Sequence, residues 1–411
     1  MHRFSLTLLA CLLSVTACVH RDHRQRLRIH EDLPASGMPF AFALYQSVGV
    51  GLRPGNEVTL VQDERIPEVL DEEVRQAGES LHLLVSIWRP GEPSARLLRT
   101  LAGRKPGVVC RVLVDPLLSP DFFETVKPQL VQTGCEVRAY RPFVGDEVVF
   151  TDERLEARNH RQLVVRDGRS GLTGGAGVGS NDPWRDTYVH VEGPAVRQLQ
   201  QAFARDWLEA GGGLLPESAF PELQARGEAR AGFIASVGSP SLSHSERMMQ
   251  VLMAAARQRL WLTNACFIPT TATLDTLMRK AREGVDVRVL VPGLARTAAP
   301  GVLEAQRSLY ERLLESGVRL YEYQRAPLQA RTLVVDEQLV SVGSTSLEPN
   351  SNAMLEEGAL VVEDASLAGS LAAAFERDLT HAVEVRKSEW RERGWLQRFS
   401  YELPITAIGC R

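Results

Sequence analysis

The sequence has no C-x-x-C pair among its 6 cysteines, which removes the usual framework of a structural zinc site. It also lacks an excess of positive charge. The 47 Lys and Arg stand against 51 Asp and Glu, giving a net charge of −4 and a pI near 6.2. No global field therefore draws nucleic acid or an anionic surface, and any hold on a phosphate must come from local geometry. After the first two dozen residues no apolar run is long enough to cross a bilayer. What is present is 411 residues, 44% hydrophobic and 24% charged, enough for two compact domains with cores of their own.

The N-terminus reads as an export signal. Met1, His2 and Arg3 make a short cationic start, and Phe4 to Val15 form an apolar stretch of signal-peptide length. The stretch ends in Val15-Thr16-Ala17-Cys18, which resembles the bacterial lipobox. Residues 1–17 are expected to be a signal peptide, and Cys18 the lipidated first residue of the mature chain. The two acyl chains of a diacylglycerol on one residue anchor a protein stably. Residues 18–50 are expected to be a tether, rich in Arg and His from His20 to Arg28. The expected location is the cell envelope, on a bacterial membrane facing the periplasm or exterior, an oxidising environment. Cys110 and Cys135 each fall in or beside an expected strand. A bridge between them is one reading; two small, buried, apolar thiols is the favoured one.

The rest of the chain repeats itself. Helical and strand patterns alternate from Pro67 to Trp207 and again from Glu246 onward, with Arg-Val-Leu-Val at 111–114 and at 288–291. Gly134-Cys135-Glu136-Val137-Arg138 likewise corresponds to Gly317-Val318-Arg319-Leu320. The period is far too long for a solenoid, so the expectation is α/β: two duplicated lobes, each a mixed sheet flanked by helices. The first lobe is expected over residues 51–210, a Gly-rich linker over 211–235, and the second lobe over 236–411.

Each repeat then reaches a matching segment. In the first it is Asn159-His160-Arg161-Gln162 through Asp167-Gly168, then Gly174-Gly175; in the second it is Gln329-Ala330-Arg331 through Asp336, then Gly343-Ser344. These resemble the paired H-x-K-x4-D motifs of the phospholipase D superfamily. The flanking segments Trp184-Arg185-Asp186-Thr187 and Tyr321-Glu322-Tyr323 point toward its cardiolipin synthases. The resemblance implies a cleft between the lobes, a histidine that attacks a phosphodiester, and a second histidine that protonates the leaving alkoxide. It also implies lysines and asparagines that hold the phosphoryl oxygens, and aspartates that orient the histidines. No cofactor or metal is implied.

This sequence departs from that pattern at most of its acting positions. His160 fills the first histidine position, but Gln162 stands for lysine, Gln329 for the second histidine and Arg331 for the second lysine. The asparagine positions are Gly177 and Ser346, while Asp167, Asp336 and Glu357 keep their types. A glutamine exchanges no proton near neutral pH. The candidate catalytic residues are thus His160, Asp167 and Asp336, and the candidate phosphate-holding residues are Arg331, Ser344, Ser346, Gly175 and Glu357. His244 and His190 are the candidates to replace the missing histidine. The favoured function is a lipid-anchored protein that binds a phospholipid headgroup or a partner protein with catalysis lost or reduced. The alternative is an active phosphatidyltransferase or phospholipase using His160. A nuclease is a remote third reading, since the chain has no basic stripe.

Overall fold

Runs such as Val112–Val114, Leu163–Val165 and Leu333–Val335 are apolar at successive positions, so both of their faces need covering. In the computed structural model of the protein they lie inside a single 15-stranded mixed sheet, and all nine residues are buried. The structure describes residue 29 and residues 33–142, 157–175, 177–179, 184–238, 243–293, 301–348 and 355–391.

The first half supplies β1 (Arg53–Gln62), β2 (Ser80–Val85), β3 (Val109–Val114), β4 (Glu136–Ala139), β5 (Gln162–Arg166), β6 (Ser170–Gly174) and β7 (Thr187–Glu192). The second half supplies β8 (Ala229–Ser236), β9 (Arg259–Asn264), β10 (Asp286–Pro292), β11 (Arg319–Tyr323), β12 (Arg331–Val335), β13 (Leu339–Gly343), β14 (Glu357–Glu363) and β15 (Ala382–Val385). From the seam outward the first lobe runs β1-β7-β6-β5-β2-β3-β4, and the second runs β8-β14-β13-β12-β9-β10-β11-β15. The second order is the first repeated strand for strand, with β15 added at the edge. In each lobe three strands are parallel (β2, β3, β4 and β9, β10, β11) and the others pair antiparallel. The lobes join where β1 and β8 pair antiparallel.

Helices cover both faces. The principal ones are α1 (Gly37–Val48), α2 (Arg65–Gln76), α3 (Glu92–Ala102), α4 (Phe122–Thr125), α5 (Lys127–Gln132), α6 (Val196–Glu209), α7 (His244–Ala255), α8 (Thr271–Arg282), α9 (Val302–Ser308), α10 (Tyr310–Glu315), α11 (Ala365–Leu379) and α12 (Lys387–Arg391). Among the described residues no helix is long and apolar enough to cross a membrane. Each lobe keeps an outer core of its own, and a third core is common to both. In that shared core Phe203 and Trp207 of α6 join the same cluster as Leu371 and Phe375 of α11. Removing apolar area from both lobes into one core makes their association part of folding.

Three expectations need correction. The segment 211–235 is not all linker, because its last seven residues belong to β8, which pairs with β14 over its whole length. The segment 18–50 is not all tether, because α1 buries Phe40, Leu44 and Val48 in the second lobe's outer core. The position of Cys18 lies outside the described residues. Cys110 and Cys135 are bridged rather than free, with Cα atoms 4.6 Å apart. The thiols are buried, as expected, but β3 and β4 are adjacent parallel strands and bring them together.

The hairpins β5–β6 and β12–β13 each turn on a motif aspartate at positive φ, Asp167 at 55° and Asp336 at 52°. Both carboxylates cap backbone. Asp167 accepts from the N–H groups of Gly78, Glu79 and Ser80 at 2.8 to 3.2 Å. Asp336 accepts from Arg257, Gln258 and Arg259 at 2.7 to 3.1 Å. Each cap fixes the start of the first parallel strand of its lobe. Replacing Asp167 with Ala is expected to cost about 2–3 kcal/mol, since it strands three amide donors and strains a left-handed residue. Asp336→Asn is expected to cost less, because Asn tolerates that backbone. Denaturant unfolding of the two variants measures both.

His82 on β2 is fully buried, stacked on Phe203 at 4.7 Å and within hydrogen-bond reach of Gln200. Burial pushes its pKa down to about 4, with the nearby Arg111 acting in the same direction and the Gln200 bond opposing. The unfolded chain therefore takes up this proton first as pH falls. The associated stability is whole above about pH 6.5 and is lost down to about pH 4, roughly 3 kcal/mol in all. Urea unfolding at pH 7 and pH 4.5 should show this loss in the parent and a smaller one in His82→Asn.

Candidate functional site

Both motifs begin where the backbone of one lobe is hydrogen-bonded to that of the other. Ahead of β5, Glu356 donates its N–H to the Arg158 carbonyl and His160 donates its own to the Glu356 carbonyl, both at 2.8 Å. Ahead of β12, Arg185 donates to the Pro327 carbonyl at 2.9 Å and Gln329 donates to the Arg185 carbonyl at 2.8 Å. The two bridges are the same construction performed by opposite lobes. Gln329 thus holds in the second lobe the backbone place that His160 holds in the first. Both side chains are half-buried.

The residues standing for lysine have turned inward. Gln162 is buried, its amide nitrogen donates to Ser86 Oγ, and its oxygen accepts from the Ser86 N–H at 3.3 Å. That closes the amide on its own lobe. Arg331 donates Nε to Ser346 Oγ at 2.7 Å and Nη1 to the carbonyls of Gly175 and Gln329 at 2.8 and 3.1 Å. The Gly175 contact crosses between lobes. Among the described residues Arg331 Nη2 makes no hydrogen bond. Burial pushes the Arg331 pKa down, and the carboxylates of Glu357, Asp186 and Glu348 work against that. Three acids surround one cation, so the site is far less electropositive than a pair of lysines would make it.

The oxygen-holding positions are equally altered. A Cβ at Gly177 would lie 1.9 Å from the Ile87 carbonyl oxygen, so no side chain fits there without moving backbone. At Gly175 a Cβ would lie 2.4 Å from both Asp186 Oδ1 and the Gln329 carbonyl oxygen, which shows how closely the lobes approach. Glu357 is fully buried and accepts from the Ser346 N–H at 3.0 Å.

Of the expected site residues, Gly175, Gln329, Arg331 and Ser346 are brought together, with Glu357 beside them. Ser344 is not available for phosphate, because its Oγ accepts from the Gly358 N–H at 3.0 Å within the β13–β14 pair. Asp167 and Asp336 are not histidine-orienting groups. They sit at the far ends of β5 and β12 and are committed to the caps described above. Neither candidate histidine stands beside Gln329. His190 is within reach of Ser170 Oγ at 2.8 Å and Glu73 at 3.2 Å on the outer side of the first lobe. His244 is exposed at the start of α7 and lines a cavity at the seam.

Sequence reasoning missed Arg161, the residue between His160 and Gln162. It is fully buried and crosses the seam, donating to Asp206, to Glu356 Oε2 at 2.8 Å, and to the carbonyls of Glu357 and Ser236 at 3.0 and 2.6 Å. Glu356 also accepts from Tyr140 Oη and Arg141. Burial works to raise the Glu356 pKa, but Arg161, Tyr140 and Arg141 hold it below the ordinary carboxylate value. The signal was a charged residue at the mouth of an apolar strand, where the other motif carries Ala330.

Known proteins agree with this geometry. A family model described as cardiolipin synthase, PLD-like domain, matches residues 249–379. The cardiolipin synthase of Halalkalibacterium halodurans is 31% identical over 338 residues, 79% of this chain and 66% of that protein. Cardiolipin synthase A of Pectobacterium carotovorum is 28% identical over 378 residues, 85% of this chain and 74% of that one. The chain thus spans about two thirds to three quarters of the length of these relatives. The phosphatidylserine synthase of Haemophilus influenzae has a similar fold, with a TM-score of 0.62 at 11% identity over 88% of this chain and 96% of that one. With these relatives, and with two halves of one sheet repeating the same strand order and meeting at two matching bridges, the chain belongs to the phospholipase D superfamily and is cardiolipin synthase-like.

Proposed function

We propose that this protein is a cardiolipin synthase-like, membrane-anchored protein that binds a phospholipid headgroup in its inter-lobe cleft, with phosphatidyl transfer lost or strongly reduced. One observation carries the reading: Gln329 occupies the backbone place equivalent to His160, so the pair of imidazoles that would exchange a proton across the cleft is reduced to one. Loss of a general acid costs about 10²–10⁴ in rate. The closure of Gln162 on Ser86 and the lack of space at Gly177 remove further phosphoryl-oxygen donors from the first lobe. What remains for an anion is the free edge of Arg331, a charge-assisted donor on a planar group. Lipidation at Cys18 would hold that cleft beside its ligand.

A second reading has one feature in its favour. His160 is retained at a half-buried position, and similar proteins such as that of Halalkalibacterium halodurans bear the name cardiolipin synthase. In that case a His160 ring nitrogen would attack phosphorus, the P–O bond to the headgroup alcohol would break with water protonating the departing alkoxide, and an alcohol or water would then displace phosphorus from the phosphohistidine.

Phosphatidylglycerol conversion by the full chain separates the two readings. Turnover is expected to stay at the level of His160→Ala, while Arg331→Gln weakens headgroup binding about 10- to 100-fold. Cardiolipin or phosphatidic acid formation that His160→Ala abolishes, or a trapped phosphate on His160, would sink the first reading. The triple variant Gln162→Lys, Gln329→His, Arg331→Lys tests whether the missing groups alone account for the loss.

A further inference from the structure

A cavity of about 580 Å³ opens at the seam, outside the inherited cleft, where α1, α6, β8 and the start of α7 meet. Its size suits a small amphiphile rather than a single ion. Arg205, Arg247 and His244 stand in its wall, and among the described residues the lining has no carboxylate. Its apolar part comes from Val48, Ala202 and Phe233, all of them buried. Arg205 reaches backward to Asp206 at 3.3 Å and Glu356 at 3.8 Å, and the rest of its guanidinium is exposed. Arg247 donates only a long 3.4 Å bond, to the Ser47 carbonyl. Its Nε is buried without any partner. An anionic ligand would give this buried, charged donor the partner it lacks among the described residues.

The helix that forms one side of this cavity has an unusual outer face. Met38, Phe42 and Tyr45 are exposed at helical spacing on α1, opposite the buried Phe40, Leu44 and Val48. Large apolar side chains on one face of a helix, next to a cationic recess, are the parts of an interfacial lipid contact. Free phosphate would use the arginines alone and would leave the apolar floor unused.

We propose that this seam cavity is a second anion site, which takes the phosphate of an anionic diacyl lipid on Arg205, Arg247 and His244 and its first acyl carbons on Val48, Ala202 and Phe233. The site is independent of whether the inherited cleft turns over. Calorimetric titration of the full chain with dihexanoyl phosphatidylglycerol below its micellar range, and with glycerol 3-phosphate, tests it. Two lipids per chain are expected. Arg247→Gln should weaken one binding class about 10- to 100-fold and leave the class lost in Arg331→Gln intact. Glycerol 3-phosphate should bind at least tenfold more weakly than the lipid at the seam. His244→Gln, an exposed substitution that leaves the fold untouched, should weaken the same class several-fold and so guards against misfolding of Arg247→Gln. Lipid binding unchanged by both Arg247→Gln and His244→Gln overturns the site. Equal affinity for glycerol 3-phosphate overturns its assignment to a lipid. A parent chain that shows the Arg247-dependent class and no class sensitive to Arg331→Gln is a failure of the cleft reading and leaves this one standing.

Discussion

The relation between the lobes depends on one buried guanidinium. Arg161 leaves the head of β5 and is received by Asp206 of its own lobe and Glu356 of the other, all three out of solvent. Isolated charges would not be stable there, since the desolvation penalty is several kcal/mol per ion. The arrangement holds because each side-chain nitrogen of Arg161 meets an acceptor and because Glu356 is shared with Tyr140 and Arg141. On the other side of the pseudo-twofold the charges are exchanged. Arg185 occupies the place of Glu356 and pairs with Asp378 at 2.7 Å and Asp63 at 3.4 Å. A cation is already present on that side, so the motif residue equivalent to Arg161 needs no charge, and it is Ala330. The two seams are therefore complementary rather than identical, which gives the lobes one way to associate.

Much of this was legible in the sequence. The duplication and the two motif heads followed from repeated text and from apolar runs, because both depend on local pattern. Helix α1 was hidden by composition. Phe40, Leu44 and Val48 have helical spacing, but the segment follows an Arg- and His-rich stretch and precedes Gly49 and Gly51. Strand β8 was hidden in the same way behind the glycines at 211–213. The Cys110–Cys135 bridge was not legible, because thiols on neighbouring strands meet only when the register of those strands is known.

The role of the aspartates was legible and was misread. His160 and Asp167, like Gln329 and Asp336, are seven residues apart along an extended chain, which spans about 23 Å. A carboxylate cannot orient an imidazole at that distance. The motif spacing instead describes a strand with chemistry at one end and a cap at the other, and the positive φ of both aspartates belongs to the cap. The same spacing explains why the pattern is recognisable although Gln162, Gln329 and Arg331 replace its usual residues. Its aspartate end holds the start of a parallel strand, its middle fills the sheet, and only its head faces the cleft.

The substitutions at that head lie where a folded protein gains by making them. A lysine in the place of Gln162 would put an unpaired charge in a buried position, and its cost would be met only by a bound phosphate. Gln162 makes two hydrogen bonds to Ser86 instead, and Arg331 makes three to Ser346, Gly175 and Gln329. Catalytic sites are places where local stability is given up for function, and relaxing them generally stabilises the fold. Here the caps, the bridges and the Arg161 network are in place while the head of each motif has closed on itself. The scaffold needs nothing from the proton relay, so the relay can be lost without loosening the seam that holds the cleft open to a ligand.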